Sequence, residues 1–374
     1  MQILLPALPV IKDTFEVSTE VAQLTLSLSM LAIALGTLFY GPLSDKYGRK
    51  PIMLLGLSIA LIGSIFCFLA NTIELLILGR FIQAFGAAVG LVLARAIVRD
   101  LYSAQEAARV IATLVMVMVV LPMLSPMLGG EIMVWLGWEY VFIFISIACI
   151  LMFLLLSTIL PETLKEPVPF TGVATMLGNY AQLFRSRAFC GYAFCVTFVS
   201  VVFFSFISAA PEIMITVLKR PPTEYGYYFI MIPLGFMVGN YFARHFGRSM
   251  KLDSMISIGA IIGIGGISLA IALQLMGFHH PITLFAPVAL AVFGNGITLP
   301  NAQAAAINEF PEFAGSASGL TGFLQMFFSA ISAQFVAVIF NGTAYPLLIL
   351  MLTASLLSLV LFRFGVRVRP NAAS

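Results

Sequence analysis

Long apolar runs recur along this sequence, separated by short polar connections, and they restrict the fold more than any other feature. Each run has close to the roughly 20 residues that an α-helix needs to cross a bilayer. We therefore predict eleven membrane-spanning helices, over 21–42, 51–70, 74–98, 107–130, 139–160, 189–211, 225–244, 254–276, 282–305, 314–340 and 345–364.

The apolar stretch that precedes them, Met1–Ile11, is too short to cross a bilayer, and Pro6 and Pro9 interrupt it. Charged residues that mark an aqueous face follow from Lys12 onward. We expect the chain to begin inside its first spanning helix, which is truncated here. With that segment the prediction is twelve helices.

The composition agrees with an all-α integral membrane protein. Hydrophobic residues make up 61% of the chain, charged residues only 9%, and the mean hydropathy is +1.06. Soluble domains carry about 25% charged residues. The net charge of +3 is too small to indicate a nucleic-acid partner. All four cysteines lie in apolar runs, so we interpret them as buried hydrophobic residues and expect no metal site.

Basic residues predict the orientation, because Lys and Arg collect in cytoplasmic loops. Most of the 19 Lys and Arg residues fall on one side of the predicted helices. We expect a multi-pass protein of the cytoplasmic (inner) membrane whose termini, in the full-length protein, are both cytoplasmic. The basic loops are 43–50, 95–109, 161–188, 244–253, 306–313 and the C-terminal tail.

A long hydrophilic connection near the midpoint divides the chain into two halves. We predict an N-terminal six-helix bundle over 1–160, a cytoplasmic connector over 161–188, and a C-terminal six-helix bundle with a short tail over 189–374. A degenerate repeat supports this division: Gly48-Arg49 follows the second helix, and Gly247-Arg248 follows the eighth.

The most distinctive connection is the charged turn Gly41–Pro51. Gly41 would let two helix ends approach closely, and Gly48 would permit a bend that most residues resist. Asp45 is placed to cap a neighbouring helix N-terminus. Lys46, Arg49 and Lys50 would hold the turn in the cytoplasm, and by composition alone it could be an ordinary positively charged cytoplasmic loop.

This turn matches the pattern G-x-x-x-D-[RK]-x-G-[RK]-[RK] at every specified position. It resembles the loop signature that the major facilitator superfamily carries between its second and third helices. The resemblance implies a twelve-helix fold of two six-helix bundles. It further implies a conformational gate, in which Asp45, Arg49 and Asp100 form a charge relay, Asp45 faces the eleventh helix near Ser316–Ser318, and the outward-facing state is favoured.

Arg80 lies within the fourth predicted helix, where a charged side chain is costly and normally faces a cavity or a partner. The alternative is that it extends toward the nearer membrane surface. The segment resembles the family motif L-x-x-x-R-x-x-Q-G, with Ala84 in place of the glycine. The resemblance implies that Arg80 lines the central cavity and is linked to proton coupling, with Gln83 one helical step away.

The fifth helix ends in Leu121–Gly130, which resembles the antiporter signature G-x-x-x-G-P-x-x-G-G. Pro126, Gly129 and Gly130 match this signature, and Ser125 is a small substitute for its glycine. Proline and glycines would give a kinked, tightly packed seam. A merely kinked helix is the alternative.

Two further segments, Leu5-Pro6-Ala7-Leu8-Pro9 and Pro161-Glu162-Thr163-Leu164, make the chain similar to the Bcr/CflA branch of drug:proton antiporters. That branch is associated with bicyclomycin and chloramphenicol-type resistance. Close relatives often carry an acid where this chain has Gln2. Glu131 and Glu212 are then the remaining acids near membrane depth and are candidate proton carriers, although each could instead be interfacial.

These observations predict a secondary transporter that exports small amphipathic drugs or metabolites by proton-driven antiport and alternating access. We expect no cofactor apart from the proton gradient. The expected partners are a small-molecule substrate, protons and the lipid bilayer, with the protein as a monomer. Proton-linked uptake on the same fold is the main alternative. A membrane-embedded receptor or enzyme is a further one, but no nucleophile–base or metal-ligand cluster supports an enzyme, and no phosphate-binding loop supports an ATP pump.

Overall fold

The computed structural model describes residues 2–102, 106, 110, 124–164, 172–247, 250–310 and 314–366. Within them the chain is helical and separates into two units, Met1–Thr171 and Gly172–Ser374. Nine helices among the described residues are long and apolar enough to cross a membrane. The predicted fifth span, 107–130, lies largely outside the described residues.

The first unit opens with a 3-10 helix, Gln2–Ala7, whose apolar side chains are buried. It packs with the ends of later helices around Trp138, Val141 and Phe142. The helices of this unit are α1 Leu8–Thr14, α2 Thr19–Tyr47, α3 Arg49–Phe68, α4 Ile73–Leu101, α5 over 124–135 and α6 Tyr140–Ile159.

The second unit begins with α7, which lies in the predicted connector and places Leu183 in the core of this unit. Its helices are α7 Gly172–Arg185, α8 Arg187–Thr216, α9 Pro222–Phe229, α10 Met231–Phe246, α11 Leu252–Leu275, α12 Pro281–Asn308, α13 Ala314–Val338 and α14 Tyr345–Val366.

The two units use corresponding helix pairs. In the first unit α4 packs along both α3 and α2, and in the second unit α12 packs along both α11 and α10. These are the second, third and fourth spans of each half, so the repeat seen in the turn sequences extends to the packing of the helices that flank those turns.

Some helices expose apolar side chains to an extent that would be unfavourable in water. On α6, large side chains such as Phe144, Leu151 and Leu154 are exposed, and Ile159 is 69% exposed. A contiguous apolar surface of this kind suits contact with lipid.

The structure corrects several predicted helix ends. The segment 43–50 is not a loop, because α2 continues to Tyr47 and α3 begins at Arg49. The seventh span continues past Pro211 to Thr216, which places Glu212 inside α8. The predicted eighth span is broken at Ile230, since Pro233 has no N–H to donate to Phe229 and a proline ring disturbs the preceding turn.

Candidate functional site

The chain passes from α2 to α3 through a single residue, Gly48. Its φ of 100° is in the region that favours glycine. A Cβ at this position would also stand 2.5 Å from Oε2 of Glu162. The positive φ therefore favours glycine here, as the sequence predicts, and a side chain would also displace the carboxylate of Glu162.

Arg49, the first residue of α3, gathers acidic and polar groups from two other helices, α2 and α4. Its Nη1 donates to Oδ1 of Asp45 at 2.5 Å and to Oγ of Ser44 at 2.6 Å, and its Nε donates to Oδ2 of Asp100 at 2.9 Å. We call these four residues, with Glu162 and Thr163, the Arg49 cluster. The structure thus brings together the three side chains of the predicted relay, while their action as a gate stays a prediction.

Glu162 caps the N-terminus of α3 from the segment that follows α6. Its carboxylate accepts hydrogen bonds from the backbone N–H groups of Arg49 at 2.9 Å and Lys50 at 3.2 Å. A helix N-terminus leaves such N–H groups without partners and favours an anion. The cap of α3 is thus Glu162 and not Asp45, which lies in the last turn of α2 and contacts Arg49.

The surroundings of Glu162 and Thr163 tie this segment firmly to the turn. Partial burial raises the pKa of Glu162, but hydrogen bonds from the backbone N–H groups of Leu164, Arg49, Lys50 and Thr163 outweigh it and hold that pKa below its ordinary value. Thr163 donates from Oγ1 to Oδ2 of Asp100 at 3.3 Å. The segment 161–164 therefore contacts the ends of both α3 and α4.

The remaining residues of the turn motif have smaller roles. The Nζ of Lys46 lies 4.8 Å from the ring centre of Tyr47, and the Nζ of Lys50 donates to the carbonyl of Ser157 on α6 at 2.8 Å. Gly41 was expected to permit a close approach of two helix ends. It lies inside α2 instead, and a Cβ there would meet Cγ1 of Val92 at an ordinary 3.8 Å.

Arg80 lies on α4 and is only 2% exposed. Its Nη1 donates to Oε1 of Gln83, whose Nε2 donates to Oγ of Ser64 on α3 at 2.7 Å. We call these three residues the Arg80 chain. Counted from Glu74 near the start of α4, Gln83 comes after Arg80. The guanidinium of Arg80 therefore bonds toward the middle of the helix and does not extend toward the Glu74 end.

The helices α3 and α4 pack closely enough to form this chain because Gly63, next to Ser64, lies against the backbone of Gln83. A narrow crevice borders Arg80 in the same unit. Its other lining residues are the side chains of the N-terminal segment and of α2: Leu4, Leu5, Leu8, Thr25 and Leu26.

The antiporter-like segment is described from Leu124 onward, and Leu121–Met123 lies outside the described residues. Pro126, Gly129 and Gly130 are buried on α5, and Ser125 is half-buried. A Cβ on Gly129 would overlap the carbonyl group of Ile3. This glycine therefore allows α5 to pack directly against the N-terminal segment.

The two candidate proton carriers differ in their surroundings. Glu131 is exposed on α5, and its Oε2 accepts a hydrogen bond from Nε1 of Trp135 at 3.2 Å. Glu212 is half-buried on α8 in the second unit. Among the residues that the structure describes, the one side-chain hydrogen bond of Arg80 is to Gln83, so Glu131 of the same unit is not its partner.

Sequence analysis missed the roles of Ser44, Ser64 and the carboxylate of Glu162. The serines carry no recognisable signal, since a serine inside an apolar helix is common. Glu162 belongs to a segment that supported the family resemblance, but its contact with Arg49 joins positions that are 113 residues apart. No local pattern predicts such a contact.

Comparisons with known proteins agree with this organisation. The sequence profile of the Major Facilitator Superfamily matches residues 1–333. The bicyclomycin resistance protein homolog of Haemophilus influenzae is 30% identical over 96% of this chain and 90% of its own length. Multidrug resistance protein D of Escherichia coli is 29% identical over 90% of this chain and 84% of its own length.

Solved structures show the same fold at lower sequence identity. A peptide transporter, POT, superposes with a TM-score of 0.75 at 14% identity and covers 99% of this chain and 90% of its own. The human organic anion transporter MFSD10 superposes with a TM-score of 0.71 at 18% identity and covers 97% and 95%. Together with the turn motif and the paired helices of its two units, these findings establish that the chain belongs to the Major Facilitator Superfamily and is a multi-pass membrane transporter, not an enzyme.

Proposed function

We propose that this transporter exports small amphipathic drugs or metabolites from the cytoplasm in exchange for protons, by alternating access and as a monomer. Relatives that are named for bicyclomycin and multidrug resistance, and that align with nearly the whole chain, support export of drugs. The alternative of proton-linked uptake predicts the opposite response to a pH gradient, and this difference makes the two functions separable.

The observation that carries the proposal is the buried charge of Arg80. A guanidinium stays protonated at physiological pH, so it can bias the protonation of nearby carboxylates without titrating itself. A charge within a membrane-spanning helix costs free energy, about 2.5–3.5 kcal/mol near a bilayer centre. We assign to Arg80 and Gln83 the coupling of substrate to protons, with Glu131 and Glu212 as the candidate proton carriers.

The Arg49 cluster supplies the proposed gate. Its ion pairs and the Glu162 cap join the ends of α2, α3 and α4 to the segment after α6. These ends can therefore move as one rigid body during a conformational change. The approach of Asp45 to Ser316–Ser318 in the outward-facing state, and the cytoplasmic location of the cluster, belong to this proposal.

The driving force is adequate for export. One proton that crosses a potential of about 100 mV releases about 2.3 kcal/mol, which corresponds to roughly a 50-fold gradient of an exchanged solute.

The experiment that tests the proposal uses the purified chain in liposomes and radiolabelled chloramphenicol or bicyclomycin. An interior made more acidic than the exterior drives drug into the liposome by proton antiport, whatever the orientation of the protein. An alkaline interior drives drug in by proton symport. We expect uptake only with the acidic interior, and its loss in Arg80→Ala.

Arg220→Gln is the matched control, because Arg220 is 41% exposed and its ion pair among the described residues, with Glu224, spans 3.9 Å. Uptake that requires the alkaline interior would contradict antiport and support the uptake function. Uptake that is equal in the two gradients would show that transport is not coupled to protons.

A further inference from the structure

Arg80 is a buried cation that no carboxylate of the described residues neutralises. Within the described part of the chain its side chain has one hydrogen-bond partner, the neutral amide of Gln83, and its Nε is buried without a partner there. By contrast, Arg49 in the same unit contacts two carboxylates, Asp45 and Asp100. The two buried arginines of this unit are therefore compensated in different ways.

A buried charge without a counterion is costly, by several kcal/mol in real proteins, and is usually paired or bound to a ligand. The Arg80 chain offers only partial compensation. Gln83 uses its acceptor on Arg80 and one donor on Ser64, and Ser64 in turn donates to the carbonyl of Ala60 at 2.8 Å. The chain ends on the backbone of α3, so no anion is reached along it.

The crevice beside Arg80 indicates what kind of anion would fit. Four of its lining residues are leucines, Leu4, Leu5, Leu8 and Leu26, and the fifth, Thr25, donates its hydroxyl to the carbonyl of Ala22. The surroundings of the guanidinium are thus apolar. An occupant with one negative group and an apolar body would satisfy both the free donor and the leucines.

From this geometry we infer that Arg80 binds the negatively charged group of the substrate, and that the substrates include small organic carboxylates with an apolar body. A carboxylate can accept two parallel hydrogen bonds from a guanidinium, which favours arginine over lysine at such a site. That the bound carboxylate is also transported rests on the proposed function. Binding itself does not.

In this conformation the crevice is too small to hold even a water molecule, and most of its apolar wall comes from the N-terminal segment. Leu4 and Leu5 belong to the 3-10 helix, and Leu8 begins α1. Entry of a ligand therefore requires this segment to shift away from α2.

The test measures binding without transport, by thermal unfolding of the purified full-length chain in detergent. The probes are benzoate and benzamide, which share one shape and differ in charge, with sodium chloride at the same ionic strength as a third arm. Arg80→Gln removes the charge, Arg80→Lys keeps it without the planar fork, and Arg220→Gln is the matched control for a loss of charge elsewhere.

We expect benzoate to raise the unfolding temperature of the wild type and of Arg220→Gln, and benzamide to leave both unchanged. The apparent affinity for benzoate should fall roughly 10-fold to 100-fold in Arg80→Gln, as for the loss of a hydrogen bond to a charged group. Arg80→Lys should bind with intermediate affinity. An equal shift by chloride would assign the site to a small inorganic anion and contradict the organic carboxylate.

An equal response to benzoate in the wild type and in Arg80→Gln would overturn the inference. If Arg80→Gln does not fold, the comparison of benzoate with benzamide on the wild type and on Arg80→Lys still decides, because equal shifts by the two probes contradict a charged contact. Failure of this test would leave proton antiport standing. Loss of antiport with binding intact would contradict the proposed function alone.

Discussion

We predict that the two aspartates of the Arg49 cluster contribute unequally to stability. The side chain of Asp45 is 45% exposed and that of Asp100 is 24% exposed, while Arg49 is 10% exposed. An exposed ion pair is worth about 0.2–1 kcal/mol, because solvent screens it. Asp100 is less exposed and accepts from both Arg49 and Thr163, so the hydrogen bonds to its charged carboxylate should contribute about 1.5–3 kcal/mol.

The assay is thermal unfolding of Asp45→Asn and Asp100→Asn in detergent. At about 2–4 °C per kcal/mol for units of this size, Asp45→Asn should lower the unfolding temperature by about 0.4–4 °C and Asp100→Asn by about 3–12 °C. High salt should abolish most of the Asp45 effect and little of the Asp100 effect. Glu224→Gln, which removes an exposed pair elsewhere, is the control and should change almost nothing.

A transport assay distinguishes the stabilising role of Asp45 from its proposed gating role. Asp45→Asn should transport poorly although it remains expressed and nearly as stable as the wild type. A decrease in unfolding temperature for Asp45→Asn that equals or exceeds the decrease for Asp100→Asn would refute the burial argument. Full transport by Asp45→Asn would refute the gate.

Three further predictions follow from the same turn. Gly48→Ala should destabilise the protein by about 1–3 kcal/mol, because alanine would hold a positive φ and collide with Glu162; an unchanged unfolding temperature would show that the turn can relax. Because the pKa of Glu162 is lowered on folding, its carboxylate stabilises the protein above its ordinary pKa of 4.5 and loses this effect as the pH falls through the folded value. The stability difference between wild type and Glu162→Gln should therefore be constant near pH 7 and shrink below about pH 4.5, and a difference that grows on acidification would contradict the cap. To test the orientation, a cysteine introduced at Tyr47 should be labelled from the cytoplasm and one at Asn71 from outside. Ser44 is unsuitable as a reporter because it is buried. Reversed labelling would overturn the assignment of sides.

The sequence predicted the spanning helices well because their length is set by the bilayer and their composition by lipid contact. It predicted their ends poorly. Charged residues at Asp45 and Lys46 looked like a loop, but they continue α2, and Asp45 pairs with Arg49 at the start of α3. Composition shows which part of a helix faces lipid and which part faces water, but it does not show where the helix ends.

The sequence predicted several residues of the candidate site but not the contacts that join them. Arg80 and Gln83 were found because a charge and an amide are conspicuous in an apolar helix. Ser64 completes the Arg80 chain from another helix, and the packing of Gly129 against Ile3 joins segments far apart in the chain. Such pairings depend on how the helices pack, and a single sequence does not encode them in any local pattern.

The central claim is that export is exchanged for protons through a site that depends on Arg80. The most direct measurement is the release of protons when chloramphenicol or bicyclomycin is added to the purified full-length protein, reconstituted in weakly buffered liposomes with a pH-sensitive dye. The account predicts substrate-induced proton release by the wild type and none by Arg80→Ala, with Arg220→Gln behaving as the wild type. Drug binding that is accompanied by no proton release from the wild type would contradict it.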